Sequence, residues 1–259
     1  MSDIVLLEVS ERIATVTLNR PDARNALSSA LLRDLTKVMH EANDRDDVDV
    51  IILTGADPAF SAGLDLKELG DNAGNLGAAT PDSKPLSGGQ HNPFFFVDKP
   101  LIAAVNGACI TGAFELALNC DFIIASERAK FGDTHSRVGV MPGWGLTVLL
   151  PQAIGVRRAR EMSFTGNFVL GQEAFELGLA NHVVAHEELL PFCRKLATDI
   201  IGNDQPGVRQ IRRTYNEIHR EDAGWDLEAR DGKAWQREMF SKEKVAARRD
   251  AIMNRGRTQ

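Results

Sequence analysis

Apolar and polar residues alternate along VLLEVSERIATVTLN (5–19), the period of a half-buried strand. The turn-like Ser10-Glu11-Arg12 divides this run into two short strands. After Pro21 the period changes. Leu31, Leu32, Leu35, Val38 and Met39 recur at helical spacing within 28–45, with Ser28 or Ser29 placed to cap the first turn. The runs DVIILTG (49–55), LIAAVNG (101–107) and DFIIAS (121–126) are short, apolar and rich in β-branched residues, the pattern of strands buried on both faces. Strand and helix alternating in this way predict crossover connections and a largely parallel α/β arrangement.

Two regions break the pattern. The stretch 70–93 is rich in Gly, Pro, Ser, Asn and Asp and too long for an ordinary connection, so it reads as a mobile loop or lid. From about residue 187 the chain turns charged and helical, over 188–202, 208–220 and 228–253. The expected organisation is a core over 1–186 and a helical region over 187–259, packed on that core or on a neighbouring subunit rather than folding alone.

Composition narrows the function. With 259 residues and a net charge of −6, the chain can bury a large core but lacks the basic excess that general nucleic-acid binding requires. No apolar run approaches the ~20 residues of a bilayer span, and the N-terminus reads as a strand rather than a signal peptide. Cys109, Cys120 and Cys193 have neither paired nor metal-ligand spacing and read as reduced, buried thiols of a cytoplasmic protein.

Candidate chemistry lies in two segments that each follow a buried strand. In DPAFSAGLDLKEL (57–69), Ser61, Ala62 and Gly63 allow close approach to backbone N–H groups, although tight strand packing uses the same residues. In NGACITGAFELALNCD (106–121), glycines precede a helix over 114–118 whose first N–H groups suit negative charge. If both sets of N–H groups face one point, they form an oxyanion hole for a thioester enolate. Glu115 stands in the first turn among Phe114, Leu116, Ala117 and Leu118. Burial there suits a carboxyl to proton transfer near neutral pH, whereas its simpler use is to favour the helix start.

AFSAGLDLKEL, NGACITGAFELALNCDFIIASERAKFG, GVMPGWG and TGNFVLGQEAFELGLANHVV (165–184), taken in order, resemble the enoyl-CoA hydratase/isomerase (crotonase) family. The resemblance runs from LNRPDARNAL (18–27) to the C-terminal helices. It implies an α/β crotonase (ClpP-like) fold, a spiral of ββα repeats whose C-terminal helical region takes part in oligomerisation and covers the site. It also implies homotrimers or dimers of trimers, an acyl-CoA substrate, and no metal or redox cofactor. Neither nucleic acid nor membrane is an expected partner. By the same resemblance, the oxyanion-hole donors fall on the backbone N–H groups of Leu64 and Gly112, and the first catalytic glutamate on Glu115. The CoA-contacting stretches fall on Asp22, Ala23, Arg24 and Ala26, and on Ala62, Gly63, Leu64, Asp65 and Leu66. Lys67, Arg20, Arg24 and the basic residues of the last helix are candidates for the CoA phosphates.

The chain departs from the family where hydratases carry their second glutamate. Counted from Gly132 in FGDTHSRVG, that position is His135. His135 can move the proton at the α-carbon while Glu115 handles water, an imidazole being suited to this near neutral pH. It can serve another crotonase reaction, such as isomerisation, thioester hydrolysis or C–C cleavage. It can also be structural, bonded to Asp133 or Arg137. Asp133 shares a face with His135 if the segment is extended and diverges from it if the segment turns; its reading is a partner that orients the ring. Trp144 stands where the family tends to have a small residue, either as core packing for the following helix or as a wall of the acyl site. The reading that results is an enoyl-CoA hydratase, with an isomerase, a thioester hydrolase or a non-catalytic acyl-CoA-binding paralogue as alternatives.

Overall fold

A computed structural model describes residues 3–71, 85–86, 90–91, 97–220 and 223–239. The chain opens with a hairpin in which β1 (Val5–Ser10) and β2 (Ile13–Leu18) pair antiparallel. Glu11 and Arg12 turn between them with φ of 53° and 63°, the left-handed pair that matches strand twist in a two-residue loop. The Ser28 hydroxyl accepts from the Leu31 N–H at 3.2 Å and caps α1 (Ser29–Asp44), which buries the Leu31, Leu32, Leu35, Val38 and Met39 stripe.

Then follow β3 (Val50–Gly55), β4 (Ala59–Ser61), α2 (Leu66–Asp71), the paired β5 (Pro85–Leu86) and β6 (Gln90–His91), β7 (Leu101–Val105) and β8 (Ala108–Ile110). The middle of the chain forms α3 (Gly112–Leu118), β9 (Phe122–Ser126), β10 (Lys130–Gly132), α4 (His135–Val138), α5 (Leu146–Ile154) and α6 (Val156–Thr165). It closes with β11 (Val169–Leu170), α7 (Gly171–Glu176), β12 (His182–Val184), α8 (Leu189–Ile201), α9 (Gln205–Arg220) and α10 (Ala223–Met239). Except for 70–71, 85–86 and 90–91, the expected mobile loop over 70–93 lies outside the described residues, as does the part of the last predicted helix beyond Met239.

A six-stranded sheet has the order β1-β2-β3-β7-β9-β12 and is parallel from β2 onward. Successive residues of β3 point to opposite faces. Ile51 and Leu53 enter the main core with the α1 stripe, while Val50 and Ile52 meet Leu189, Cys193 and Ala197 of α8. Both faces are thus covered, which is why β3 and β7 read as unbroken apolar runs.

A second sheet of order β11-β10-β8-β4 positions the chemistry. β4, β8 and β10 run parallel with Ser61, Cys109 and Phe131 in register. Their C-terminal ends therefore lie side by side, and the chain segments 62–65, 111–115 and 133–135 all leave from one edge. This is the end of a parallel sheet at which α/β proteins build their sites.

Candidate active site

The first segment is drawn onto the second at Gly63. Its φ is 85°, and a β-carbon there would come within 2.4 Å of the Ile110 carbonyl oxygen. Only glycine permits both the left-handed backbone and this close approach. On the outer side, the 24–27 strap is laced to the same segment. Ala62 N–H donates to the Arg24 carbonyl at 2.9 Å, Leu27 N–H to that of Gly63 at 2.8 Å, and Asp65 N–H to that of Leu27 at 3.1 Å. The residues expected to contact CoA, Asp22 to Ala26 and Ala62 to Leu66, are thus brought together as one unit.

Sequence reasoning passed over what holds that unit. Asn25 is fully buried with φ of 55°; its Nδ2 donates to the Ala56 and Ala59 carbonyls, each at 2.7 Å, and its Oδ1 accepts from the Arg20 N–H at 2.8 Å. The available signal was an asparagine after Pro-Asp-Ala-Arg, since Asn is the side chain that most readily takes positive φ. Arg20, expected as a phosphate candidate, donates to the Ala26 carbonyl at 2.6 Å and to Asp65 at 3.2 Å, and so ties the strap to the 62–65 segment. Arg24 and Lys67 are exposed.

Thr111 links the second segment to the third. It holds φ of 56°, unusual for a β-branched residue, and donates its N–H to the Gly132 carbonyl at 2.8 Å while its hydroxyl bonds that of Thr134. Such strain costs about 1–3 kcal/mol and persists where surrounding contacts enforce it. The next residue, Gly112, starts α3. Among the described residues, neither its N–H nor that of Leu64 takes part in the hydrogen bonds that fix these loops.

Glu115 is 2% exposed. Its Oε1 accepts from the Trp144 N–H at 2.8 Å and the Gly143 N–H at 3.3 Å, and its Oε2 lies 3.4 Å from His135 Nε2. On the far side of the ring, Nδ1 lies 2.6 Å from Asp133 Oδ1. The 133–135 segment does turn, yet Asp133 and His135 do not diverge. The same Oδ1 accepts the His135 backbone N–H at 3.1 Å, and this closure across two residues folds the carboxylate under the ring. Arg137 points elsewhere, donating to the Thr165 carbonyl and to Asn167.

Burial opposes charge on His135, but the Glu115 carboxylate and then the bonds to Asp133 and Glu115 outweigh it, pushing the ring up to about 10. Burial likewise works against the Asp133 carboxylate, and the bond to His135 reverses the balance, holding it below its usual value. The ring thus stands between Asp133 and Glu115, an arrangement that favours the protonated imidazole. The opposed charges are what make ionisation tolerable at this depth.

The Trp144 indole joins the main core and lies over Gly112, where a β-carbon would come within 2.6 Å of the ring. The core-packing expectation is met, and the ring closes over the start of α3. Two further supports carried no sequence signal that marked them as such. Asn119 Nδ2 donates at 2.8 Å to the carbonyls of both Glu115 and Trp144. Glu228 accepts from the Gly145 and Thr147 N–H groups at 2.6 and 2.7 Å. Among the described residues, no group of three or more His, Cys, Asp or Glu side chains is arranged to hold a metal ion, and no helix is long and apolar enough to cross a membrane.

Residues 8–254 match the enoyl-CoA hydratase/isomerase family. The chain belongs to this family. A crystal structure of an enoyl-CoA hydratase from Mycobacterium tuberculosis matches with a TM-score of 0.80 and 46% identity, over 90% of this chain and 98% of that one. A probable peroxisomal enoyl-CoA hydratase of Arabidopsis thaliana is 38% identical over 215 residues, 83% of this chain and 79% of the relative. A crotonyl-CoA hydratase of Syntrophomonas wolfei is 36% identical over 217 residues, 82% of this chain and 81% of the relative. The two sheets and their helices are thus the crotonase fold that the sequence resemblance implied. Within that family fold, the His135 ring faces Glu115, with Nε2 3.4 Å from Oε2.

Proposed function

We propose that this protein is an enoyl-CoA hydratase that adds water across the double bond of a 2-enoyl-CoA through a thioester enolate. The observation that carries the reading is the 3.4 Å approach of Glu115 Oε2 to His135 Nε2, at the edge where the Leu64 and Gly112 N–H groups also emerge. Those two N–H groups donate to the thioester oxygen as negative charge develops on it, the role in which prealigned donors stabilise most. Glu115 takes a proton from water as its oxygen attacks the β-carbon. The His135 imidazolium gives its Nε2 proton to the α-carbon, and the enolate collapses to the 3-hydroxyacyl thioester. The proton on Glu115 then passes to His135, which restores both groups. Water has supplied one proton and one hydroxide, and the site ends as it began.

Two proton carriers facing each other favour hydration over isomerisation, in which one carrier can shuttle a single proton between carbons. A thioester hydrolase would need water directed at the carbonyl carbon instead. The 22–26 strap and the 62–66 segment are assigned to CoA, with the exposed Arg24 and Lys67 offered to its phosphates. The chemistry assigns no step to a metal or redox group. A homotrimer or dimer of trimers is the proposed assembly, supported by exposed Phe164, Ile211 and Tyr215 on α6 and α9, and the C-terminal helices are proposed to serve both assembly and covering of the site. The cytoplasm is the proposed compartment, in keeping with three buried free cysteines.

Incubation with crotonyl-CoA tests the reading. Loss of the conjugated-enoyl absorbance without release of free thiol is expected, and Glu115→Gln should abolish most of it. Thiol release, or a Glu115→Gln protein as fast as the wild type, overturns the assignment.

A further inference from the structure

Behind Glu115 the chain turns through 142–147, and this turn supplies the Trp144 and Gly143 N–H groups that hold Oε1. Its opposite side is covered by α10. Trp225, Glu228 and Gly232 stand three and then four residues apart, which places them on one face of that helix. All three meet the turn. The Trp225 indole lies over Gly145, where a β-carbon would come within 2.2 Å of the ring. The buried Glu228 carboxylate accepts from the Gly145 N–H at 2.6 Å and the Thr147 N–H at 2.7 Å, and also from the Thr147 hydroxyl. At Gly232 a β-carbon would stand 3.2 Å from the Pro142 carbonyl oxygen. Glycine inside a helix is destabilising relative to alanine, so the close approach to the turn is what this position serves.

Glu228 is an expensive way to anchor a helix. Burial, and then the charge of Glu115, raise its carboxyl above the usual range. An apolar side chain could fill the same space without burying a second carboxylate near the first. What an apolar side chain could not do is bind the N–H groups of residues 145 and 147 and so fix the backbone immediately after Trp144. Any shift of that backbone carries the Gly143 and Trp144 N–H groups with it, and with them the aim of Glu115.

We infer that Glu228 is a positioning residue for Glu115: through α10 it clamps the 142–147 turn, whose N–H groups in turn hold the carboxylate at its working angle. Glu228 itself touches no reacting atom. The inference rests on the hydratase reading, in which Glu115 activates water.

A double-mutant cycle tests it. Crotonyl-CoA hydration is measured for the wild type, Glu228→Ala, Glu228→Gln, Glu115→Gln and the combined variants, with Tm recorded for each. Glu228→Ala should lower kcat by roughly tenfold to a hundredfold, the cost of a small misplacement of a catalytic group. KM should stay within about twofold, because substrate binding is not what is lost. Glu228→Gln, which keeps one acceptor oxygen, should recover part of the rate and carries the test if the alanine variant does not fold. In the Glu115→Gln background, removing Glu228 should cost nothing further. Equal fractional losses in both backgrounds, or an unchanged kcat in Glu228→Ala, overturn the inference. A wild-type protein that hydrates neither short- nor long-chain enoyl-CoA overturns the hydratase reading and the role of Glu228 with it, a failure seen without any variant.

Discussion

Asp133 Oδ1 engages His135 twice, at its ring Nδ1 at 2.6 Å and at its backbone N–H at 3.1 Å. One carboxylate oxygen therefore sets both where the residue starts and which way its ring faces, and leaves Nε2 directed at Glu115. Asp133 also helps keep the ring protonated. Asp133→Asn removes that charge, so burial pulls the imidazole down and its proton is lost at lower pH. The alkaline limb of kcat for hydration should move to lower pH by about one to three units, the usual effect of a close opposite charge. Matching pH–rate profiles for the variant and the wild type would remove Asp133 from the account.

The same ionisation should be visible in stability. His135 is pushed up to about 10 in the folded protein, against about 6.5 for an unperturbed imidazole. The folded state therefore holds the proton more tightly, and the stabilisation is fully present below the lower value and lost as pH rises through the higher one. The gap in Tm between wild type and His135→Gln should narrow steadily from neutral pH to pH 10. Thermal unfolding followed across that range checks it, and a gap that does not change with pH contradicts the charged ring.

Gly63→Ala should damage rate more than fold. Its φ of 85° and the 2.4 Å approach to the Ile110 oxygen leave no space for a β-carbon, so the segment must retreat and take the Leu64 N–H with it. Loss of one oxyanion donor typically costs about 10²–10³ in kcat. Steady-state kinetics with crotonyl-CoA should show such a fall, alongside a modest drop in Tm.

Asn25→Ala leaves the Ala56 and Ala59 carbonyls without their side-chain partner in a buried place. Each unsatisfied group of this kind costs about 1–3 kcal/mol. Tm should fall by several degrees. Because the strap loosens where CoA is proposed to bind, KM should rise more than kcat falls. A variant with unchanged KM would separate the strap from CoA recognition.

How far these features were legible in the sequence follows from their range. The hairpin, the Ser28 cap, the α1 stripe and the buried strands depend on local periodicity, and all appear in the structure. His135 was visible by its count from Gly132, and Asp133 as its neighbour. Whether the two meet was not, because that depends on the segment turning at Thr134 while the aspartate bonds backbone two residues on. Asn25, Asn119 and Glu228 were missed for a related reason. Each acts on backbone distant in sequence, up to 83 positions away for Glu228 and Gly145, and nothing in a polar residue's local context names such a partner. For Arg20 the cation is legible in the sequence, whereas its ties to Asp65 and Ala26 are not. Short α4 and the polar α6 carried too little apolar periodicity to be read.

The most direct test of the central claim is the rate at which His135→Gln hydrates crotonyl-CoA, measured beside its affinity for that thioester. If His135 protonates the α-carbon, kcat should fall by about 10²–10⁴, the usual worth of a placed general acid, with binding retained. Hydration by His135→Gln at the wild-type rate would contradict the account, and would leave Glu115 as the only proton carrier the reaction needs.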